Sequence, residues 1–206
     1  MLFLRKNTFP ASVDAESIVG MPLVLFEGPI MVIDGPGHDY DKAIRYLRRR
    51  KVIGFDTETR PVFTSRAPQN GVALLQLSSG RHAFLFRLHR MGLPDELVEI
   101  LSSPNIVKVG ASVHDDIRGL QKIYPFTANA FVDLQKICGD WGITDKSVKK
   151  LTAIIMGRRI SKTQQLSNWE APQLSDAQKI YAATDAWICR EMYFKLLSTR
   201  KLSKPE

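Results

Sequence analysis

Residues 51–60, KVIGFDTETR, contain an apolar run that ends in two carboxylates. Residues 52–55 predict a β-strand that is buried on both faces. Because side chains two apart on a strand point to the same side, Asp56 and Glu58 are expected to project together. Two like charges held that close repel each other, and burial makes the repulsion worse unless one of them is protonated.

The motif alone leaves two interpretations open. In the first, the strand ends after residue 55, Asp56 and Glu58 lie in solvent, and Thr57 turns inward. In the second, the two carboxylates hold a divalent cation, since Mg²⁺ and Mn²⁺ prefer hard oxygen ligands. Further carboxylates that converge on the same place would decide between the two.

The composition indicates one globular domain with a proper core, since 44% of the 206 residues are hydrophobic and 24% are charged. Cys138 and Cys189 lie in helix-like segments without metal-type spacing, which indicates a reducing compartment. Residues 1–10 lack the apolar region of a secretory signal, and MPLVLF (residues 21–26) is too short to span a bilayer. We therefore expect a soluble, cytoplasmic protein that makes no membrane contact.

The net charge of +8 points to a polyanionic partner such as nucleic acid. Many basic proteins bind no polyanion, so the charge is informative only because the candidate centre is acidic. A basic chain that gathers carboxylates in one place is expected to hold a cation there. The run of arginines at residues 48–50 ends a predicted helix and complements its dipole, so we do not count it as a binding surface.

The order of elements predicts an α/β fold with a mixed β-sheet flanked by α-helices. Residues 1–28 are predicted to be an irregular N-terminal arm on a domain of residues 29–206. After the strand with Asp56 come a polar loop (residues 60–70) long enough to be functional and two strands joined as a hairpin at residues 78–81. The last helix, Ser175 to Ser198, is predicted to begin with a capping box of Ser175 and Gln178.

Further carboxylates occur on two predicted helices. On the first, Asp116 shares the apolar face with Leu120, whereas the adjacent Asp115 shares the polar face with Lys122. A first-turn aspartate favoured only by the helix dipole remains an alternative for Asp116.

On the last helix, Tyr181 and Asp185 are four residues apart and therefore lie on one face, beside apolar surface. A core tyrosine next to a surface aspartate remains the alternative there.

Three segments together resemble the motifs of the DEDDy 3′–5′ exonucleases, the family of ribonuclease D and of the Werner syndrome protein's exonuclease domain. The segments are FDTET (55–59), VGASVHDDIRGL (109–120) and SNWEAPQLSDAQKIYAATDAW (167–187). The resemblance covers about residues 29–198, with the motifs in the family's order, and the third segment is closer to the Werner type. It implies a ribonuclease H-like fold, and every acidic position of the family's set is present.

The resemblance also implies the site residues. Those matching the catalytic set are Asp56, Glu58, Asp116, Tyr181 and Asp185. Its four acids are expected to bind two divalent cations, Mg²⁺ or Mn²⁺, with Asp56 shared by both and Asp116 acting through water. Tyr181 is expected to orient the attacking water. The implied substrate contacts are Thr57, Lys162, Asn168 and Trp169.

The expected reaction is two-metal hydrolysis of phosphodiester bonds from the 3′ end, which releases nucleoside 5′-monophosphates. DNA is the favoured substrate because the third motif is Werner-like, and RNA remains possible. The alternatives are a ribonuclease D-like exoribonuclease, a nucleic-acid-binding module that does not cut, and an endonuclease on the same fold.

Overall fold

The described part of the chain, residues 9–61 and 70–202 of a computed structural model, is built on a six-stranded sheet. The strands are β1 (Ile30–Ile33), β2 (Val52–Thr59), β3 (Val72–Ser78), β4 (Ala83–Phe86), β5 (Val107–Gly110) and β6 (Phe131–Asp133). Their order across the sheet is β1-β4-β3-β2-β5-β6. β3 is antiparallel to β2 and to β4, and the other neighbouring pairs are parallel. The predicted mixed sheet and the predicted β3–β4 hairpin are therefore confirmed.

Helices cover both faces of this sheet. They are α1 (Ala15–Val19), α2 (His38–Arg48), α3 (Leu88–Met91), α4 (Asp95–Ser102), α5 (Val113–Ile123), α6 (Leu134–Ile137), α7 (Val148–Met156) and α8 (Asp176–Leu197). The predicted capping box of α8 is confirmed, because Ser175 and Gln178 exchange side-chain to backbone hydrogen bonds of 3.0 and 3.2 Å. Most of the predicted functional loop, residues 62–69, lies outside the described residues.

Alternate residues of β2 point to two different layers. Ile53 and Phe55 are fully buried in a core shared with α2, α4 and α5. On the opposite face α8 packs with α7, and Ile188 is buried there. Because side chains alternate along a strand, Gly54, Asp56 and Glu58 face the α8 layer. Asp56 and Glu58 therefore point towards α8.

Gly54 allows α8 to cross β2 at very close range. A Cβ atom at this position would lie 1.9 Å from the carbonyl oxygen of Ala186 and 2.5 Å from the Ser78 hydroxyl. No side chain larger than hydrogen fits such an approach. The residue next to Ala186 on the helix is Asp185, so the contact at Gly54 brings this carboxylate to the strand that carries Asp56.

The N-terminal arm, as far as it is described, packs on the helical layer of α7 and α8. The Val24 amide donates to the Arg159 carbonyl at 2.9 Å, and the Phe26 amide donates to the Thr184 hydroxyl at 3.0 Å. The sequence predicts only irregular structure here, whereas the arm contains the short helix α1, capped by Asp14. The boundary between arm and domain at residue 28 stays a prediction. Within the described residues no helix has both the length and the apolar character needed to cross a membrane.

Candidate metal and active centre

The carboxylates of β2 and α8 converge. Strand β2 continues through Asp56 and Glu58 to Thr59, so the interpretation in which it ends in solvent after residue 55 is wrong. Asp56 and Glu58 are half-buried, and Asp185 is buried. One carboxylate oxygen from each of the three residues lies within 4.8 Å of the others. Two segments that are distant in the chain, β2 and α8, thus form one acidic cluster.

Asp116 approaches from the other side of β2. It is half-buried on α5, whereas Asp115 is exposed, so the predicted faces of the two aspartates are confirmed. Thr57 points away from the acidic cluster, and its hydroxyl donates to the Asp116 carboxylate at 2.5 Å. Asp116 is not among the three residues whose ligand atoms converge. Asp116 therefore flanks the cluster, and the hydrogen bond from Thr57 fixes the orientation of its carboxylate.

The structure assigns Lys162 a partner that the sequence does not reveal. Its ammonium donates to Asp185 at 2.9 Å, lies 3.4 Å from the Tyr181 hydroxyl, and stands 5.3 Å from the centre of the tyrosine ring. Burial disfavours the charged ammonium, but the attraction and hydrogen bond of Asp185, together with the negative charge of Asp56, outweigh it and raise the pKa of Lys162. The lysine is therefore a fixed positive charge beside the acidic cluster.

Burial raises the pKa of every carboxyl group in this centre, and repulsion by neighbouring carboxylates of the centre adds to the shift for Asp56 and Glu58. Burial is the main cause for Asp56, whose pKa lies well above its usual range, and Asp185 and Asp116 raise it further. Burial and then Asp185 raise the pKa of Glu58 to about 8. Burial raises the pKa of Asp116 to about 6 despite the Thr57 hydrogen bond. Paired, strongly shifted acids in a hollow are typical of a functional site.

Tyr181 is held protonated in the same hollow. Burial, followed by the negative charge of Asp185 and Glu58, raises the pKa of the phenol above its ordinary value of 10.0. A hollow of about 190 Å³ opens on its hydroxyl, between Lys162 and the three carboxylates. This group is a hydrogen-bond donor and orienter, because it cannot lose its proton near neutral pH.

The donor set fits a divalent cation. All three converging ligands are carboxylate oxygens, the type that hard cations prefer. Asp185 Oδ1 is buried without a hydrogen-bond partner in the described part of the chain. An unpaired buried carboxylate oxygen costs free energy, and a cation would satisfy it.

Trp169 and Asn168 have different surroundings. Trp169 is 0% exposed, and its ring centre lies 5.8 Å from that of Tyr181. Its indole therefore supports the tyrosine and leaves no accessible surface for the predicted substrate contact. Asn168 is exposed, and its carbonyl accepts a hydrogen bond of 3.2 Å from Gln178 at the start of α8.

Sequence reasoning missed two buried polar residues around this centre. Gln76 on β3 lies directly opposite Asp56 in the sheet and is 0% exposed, and neither amide atom has a partner among the described residues. Arg87, 1% exposed, donates to the carbonyls of Ala171 and Pro172, which fixes the loop that carries Trp169. In the sequence, Gln76 is a single polar residue within an apolar run and Arg87 directly follows one, and these positions could have indicated buried polar groups.

Comparison with known sequences identifies the family. The sequence family described as 3'-5' exonuclease matches residues 38–200. Exonuclease 3'-5' domain-containing protein 2 of Drosophila melanogaster is 38% identical over 150 residues, covering 71% of this chain and 25% of that protein. The bifunctional 3'-5' exonuclease/ATP-dependent helicase WRN of Mus musculus is 29% identical over 156 residues, covering 70% of this chain and 11% of that protein. The chain thus spans a quarter or less of either relative.

Comparison with solved structures agrees on the fold. Escherichia coli RNase D superposes with a TM-score of 0.72 at 22% identity, covering 82% of this chain and 44% of that chain. The EXO domain of Aedes aegypti Nibbler superposes with a TM-score of 0.71 at 21% identity, covering 81% and 86% of the two chains. The predicted ribonuclease H-like sheet flanked by helices is confirmed. Since the family match extends over most of the sequence and all three motifs lie within it, the chain belongs to the 3′–5′ exonuclease family.

Proposed function

We propose that this chain is a metal-dependent exonuclease that hydrolyses phosphodiester bonds from the 3′ end of nucleic acid and releases nucleoside 5′-monophosphates. The observation that carries the proposal is the convergence of Asp56, Glu58 and Asp185 within 4.8 Å, beside the protonated Tyr181. Membership of the family supports the same activity. Neither a pure binding module nor a structural domain needs three mutually repelling carboxylates in one hollow.

The carboxylates would hold two divalent cations, Mg²⁺ or Mn²⁺. Asp56, Glu58 and Asp185 form the first set, and Asp116, on the other side of Asp56, completes the second through water. When bound, such cations supply an activated water and stabilise the leaving oxygen of the phosphodiester. The Thr57 hydroxyl fixes the orientation of Asp116 through its 2.5 Å hydrogen bond.

Tyr181 positions the attacking water by donating a hydrogen bond. Its raised pKa excludes it as the base. Trp169 supports its ring from behind, and Lys162 faces the same hollow. The ammonium of Lys162 offsets part of the charge on Asp185. Bound cations would take over this role, and the ammonium could then contact a substrate phosphate. Asn168 is exposed and remains a candidate substrate contact.

DNA is the proposed substrate and RNA the alternative, because the same carboxylates can act on either sugar. The Werner-like third motif (residues 167–187) favours DNA, whereas the RNase D structure is described as that of an exoribonuclease involved in structured RNA processing. We also propose that residues 29–206 form the exonuclease domain with residues 1–28 as its arm. A cytoplasmic location is proposed on the two buried free cysteines.

Degradation of matched DNA and RNA strands, each labelled at the 5′ end, tests this function. We expect a ladder of products shortened from the 3′ end in the presence of Mg²⁺ or Mn²⁺ and none with a chelator. Asp56→Ala serves as the matched control for a contaminating nuclease. Cleavage of a circular strand would instead indicate an endonuclease, and binding without any cleavage would indicate a non-catalytic module.

A further inference from the structure

A cluster of cations lies at the end of the sheet opposite to the acidic centre. Lys51 directly precedes β2, and Asp56 follows five residues later, about 17 Å along an extended strand. The other cations come from α2 and the turn after it. We name this cluster the distal basic surface, and its residues are Lys42, Arg45, Arg49, Arg50 and Lys51.

The cations of this surface have no ion-pair partner among residues 9–61 and 70–202. None of the five forms an ion pair with any residue that the structure describes. Arg48, in the same stretch, does pair with Glu99, the acidic residue that lines the larger of two hollows in this surface. The helix dipole accounts for cations in the last turn of α2, but not for Lys42 near its start or Lys51 beyond its end.

The distal basic surface contains hollows as well as positive charges. Two adjoining hollows of about 400 and 230 Å³ share Arg49 and Arg50 as lining residues. The Arg50 guanidinium stacks 4.6 Å from the centre of the Tyr46 ring, and its buried Nε has no hydrogen-bond partner in the described part of the chain. Tyr46 is itself held by His82, at 3.1 Å from its hydroxyl. One arginine is thus fixed in place, whereas the exposed cations around it can adapt to a ligand.

We propose that the distal basic surface binds the phosphate backbone of the nucleic-acid strand whose 3′ end lies in the acidic centre. This rests on the proposed exonuclease function. Unpaired lysines and arginines bind such a backbone without reading its sequence, by displacing condensed counterions. Because the two sites lie on different faces and at opposite ends of the sheet, a dinucleotide cannot span them. The surface therefore acts only on long substrates.

The double variant Arg45→Gln/Arg49→Gln tests the proposal. Its charge-matched control is Lys195→Gln/Arg200→Gln, two exposed cations on and just after the last helix. Binding of a long oligodeoxynucleotide and of the RNA of the same sequence is measured against salt in an Asp56→Ala background. Cleavage of the long strand and of a dinucleotide is measured with Asp56 intact, and thermal unfolding verifies the fold of each variant.

We expect the double variant to bind the long strand roughly tenfold more weakly, with a salt slope shallower by about 1.4, or 0.7 for each lost contact. The KM for the long strand should rise, and kcat/KM for the dinucleotide should not change. Unaltered binding of the long strand, an equal loss in the control variant, or an equal loss on the dinucleotide would each overturn the proposal. If the parent protein cut neither substrate, the proposed exonuclease function would be wrong. The binding measurement would still test whether the distal basic surface binds nucleic acid.

Discussion

The two ends of strand β2 hold like charges in opposite ways. At one end Asp56, Glu58 and Asp185 are brought together in a hollow, and burial raises the pKa of each of them. At the other end most of the cations around Lys51 stay exposed to solvent, apart from the ordered Arg50. Like charges in water are screened and cost little, whereas the same charges in a hollow need a counter-charge. The acidic end therefore needs a counter-charge, which the proposed cations would supply, whereas the exposed cations of the basic end stay accessible to the nucleic-acid backbone proposed to bind there.

The largest expected effect comes from removing one carboxylate of the acidic centre. Asp56→Ala and Asp116→Ala should each reduce cleavage to the level of the chelator-treated protein, because no neighbour can replace the lost carboxylate. Asp115→Ala is the matched control, and it should retain most activity because its side chain is exposed. Cleavage rates at saturating substrate measure the effect. An inactive Asp115→Ala beside an active Asp116→Ala would reverse the assignment of the two aspartates.

The next largest effect is expected from removing the Tyr181 hydroxyl, the hydrogen-bond donor in the acidic hollow. Tyr181→Phe keeps the packing on Trp169 and removes only the hydroxyl. Turnover should fall by about 10²–10³, the loss associated with one positioned hydrogen bond to a transition state. Single-turnover rates and metal affinity should be measured together, and the affinity should stay close to that of the parent. An unchanged single-turnover rate would exclude the orienting role.

Removal of the cation should make the stability of the acidic end depend on pH. The pKa of Glu58 is raised from 4.5 to about 8, so its contribution to the free energy of unfolding is fully present below pH 4.5. That contribution is lost as the pH rises towards 8, and Asp116, with a pKa of about 6, acts in the same direction. Without divalent cations the unfolding free energy should therefore fall between pH 5 and 8.

Added Mg²⁺ should restore this loss, and the increase in Tm should be greater at pH 8 than at pH 5, because bound carboxylates must be ionised. Thermal unfolding with a chelator and with Mg²⁺ measures both effects. Glu58→Gln should give a flatter dependence on pH in the chelator. A Tm that rises with pH in the cation-free protein would contradict the assigned direction of the shifts.

The smallest expected effect also lies at the acidic end. Gln76→Leu removes a buried amide that has no partner in the described residues, so the unfolding free energy in a chelator should rise by about 1 kcal/mol. Gln121→Leu is the contrasting control, since it deletes a 3.0 Å hydrogen bond to the Phe126 carbonyl and should lower stability. Urea unfolding measures both. A loss of stability in Gln76→Leu would show that the amide has a partner.

The sequence determined the features that depend on local periodicity. Alternation along β2 put Asp56 and Glu58 on one side, and helical spacing separated Asp116 from Asp115 and aligned Tyr181 with Asp185. The spacing of Ser175 and Gln178 likewise predicted the start of α8. These features follow from the geometry of a single strand or helix, so neighbouring residues suffice to predict them.

Which groups meet across the sheet depends on how separate elements pack together. The close crossing at Gly54 brings Asp185 to Asp56, and Lys162 pairs with that same aspartate although it lies in a loop. The burial of Trp169 likewise depends on where the loop after Lys162 packs. The arginines at residues 48–50 look like a simple helix end in the sequence, and only the structure shows which of them has an acidic partner. Each of these contacts joins residues far apart in the chain, and local periodicity carries no information about distances set by the packing of separate elements.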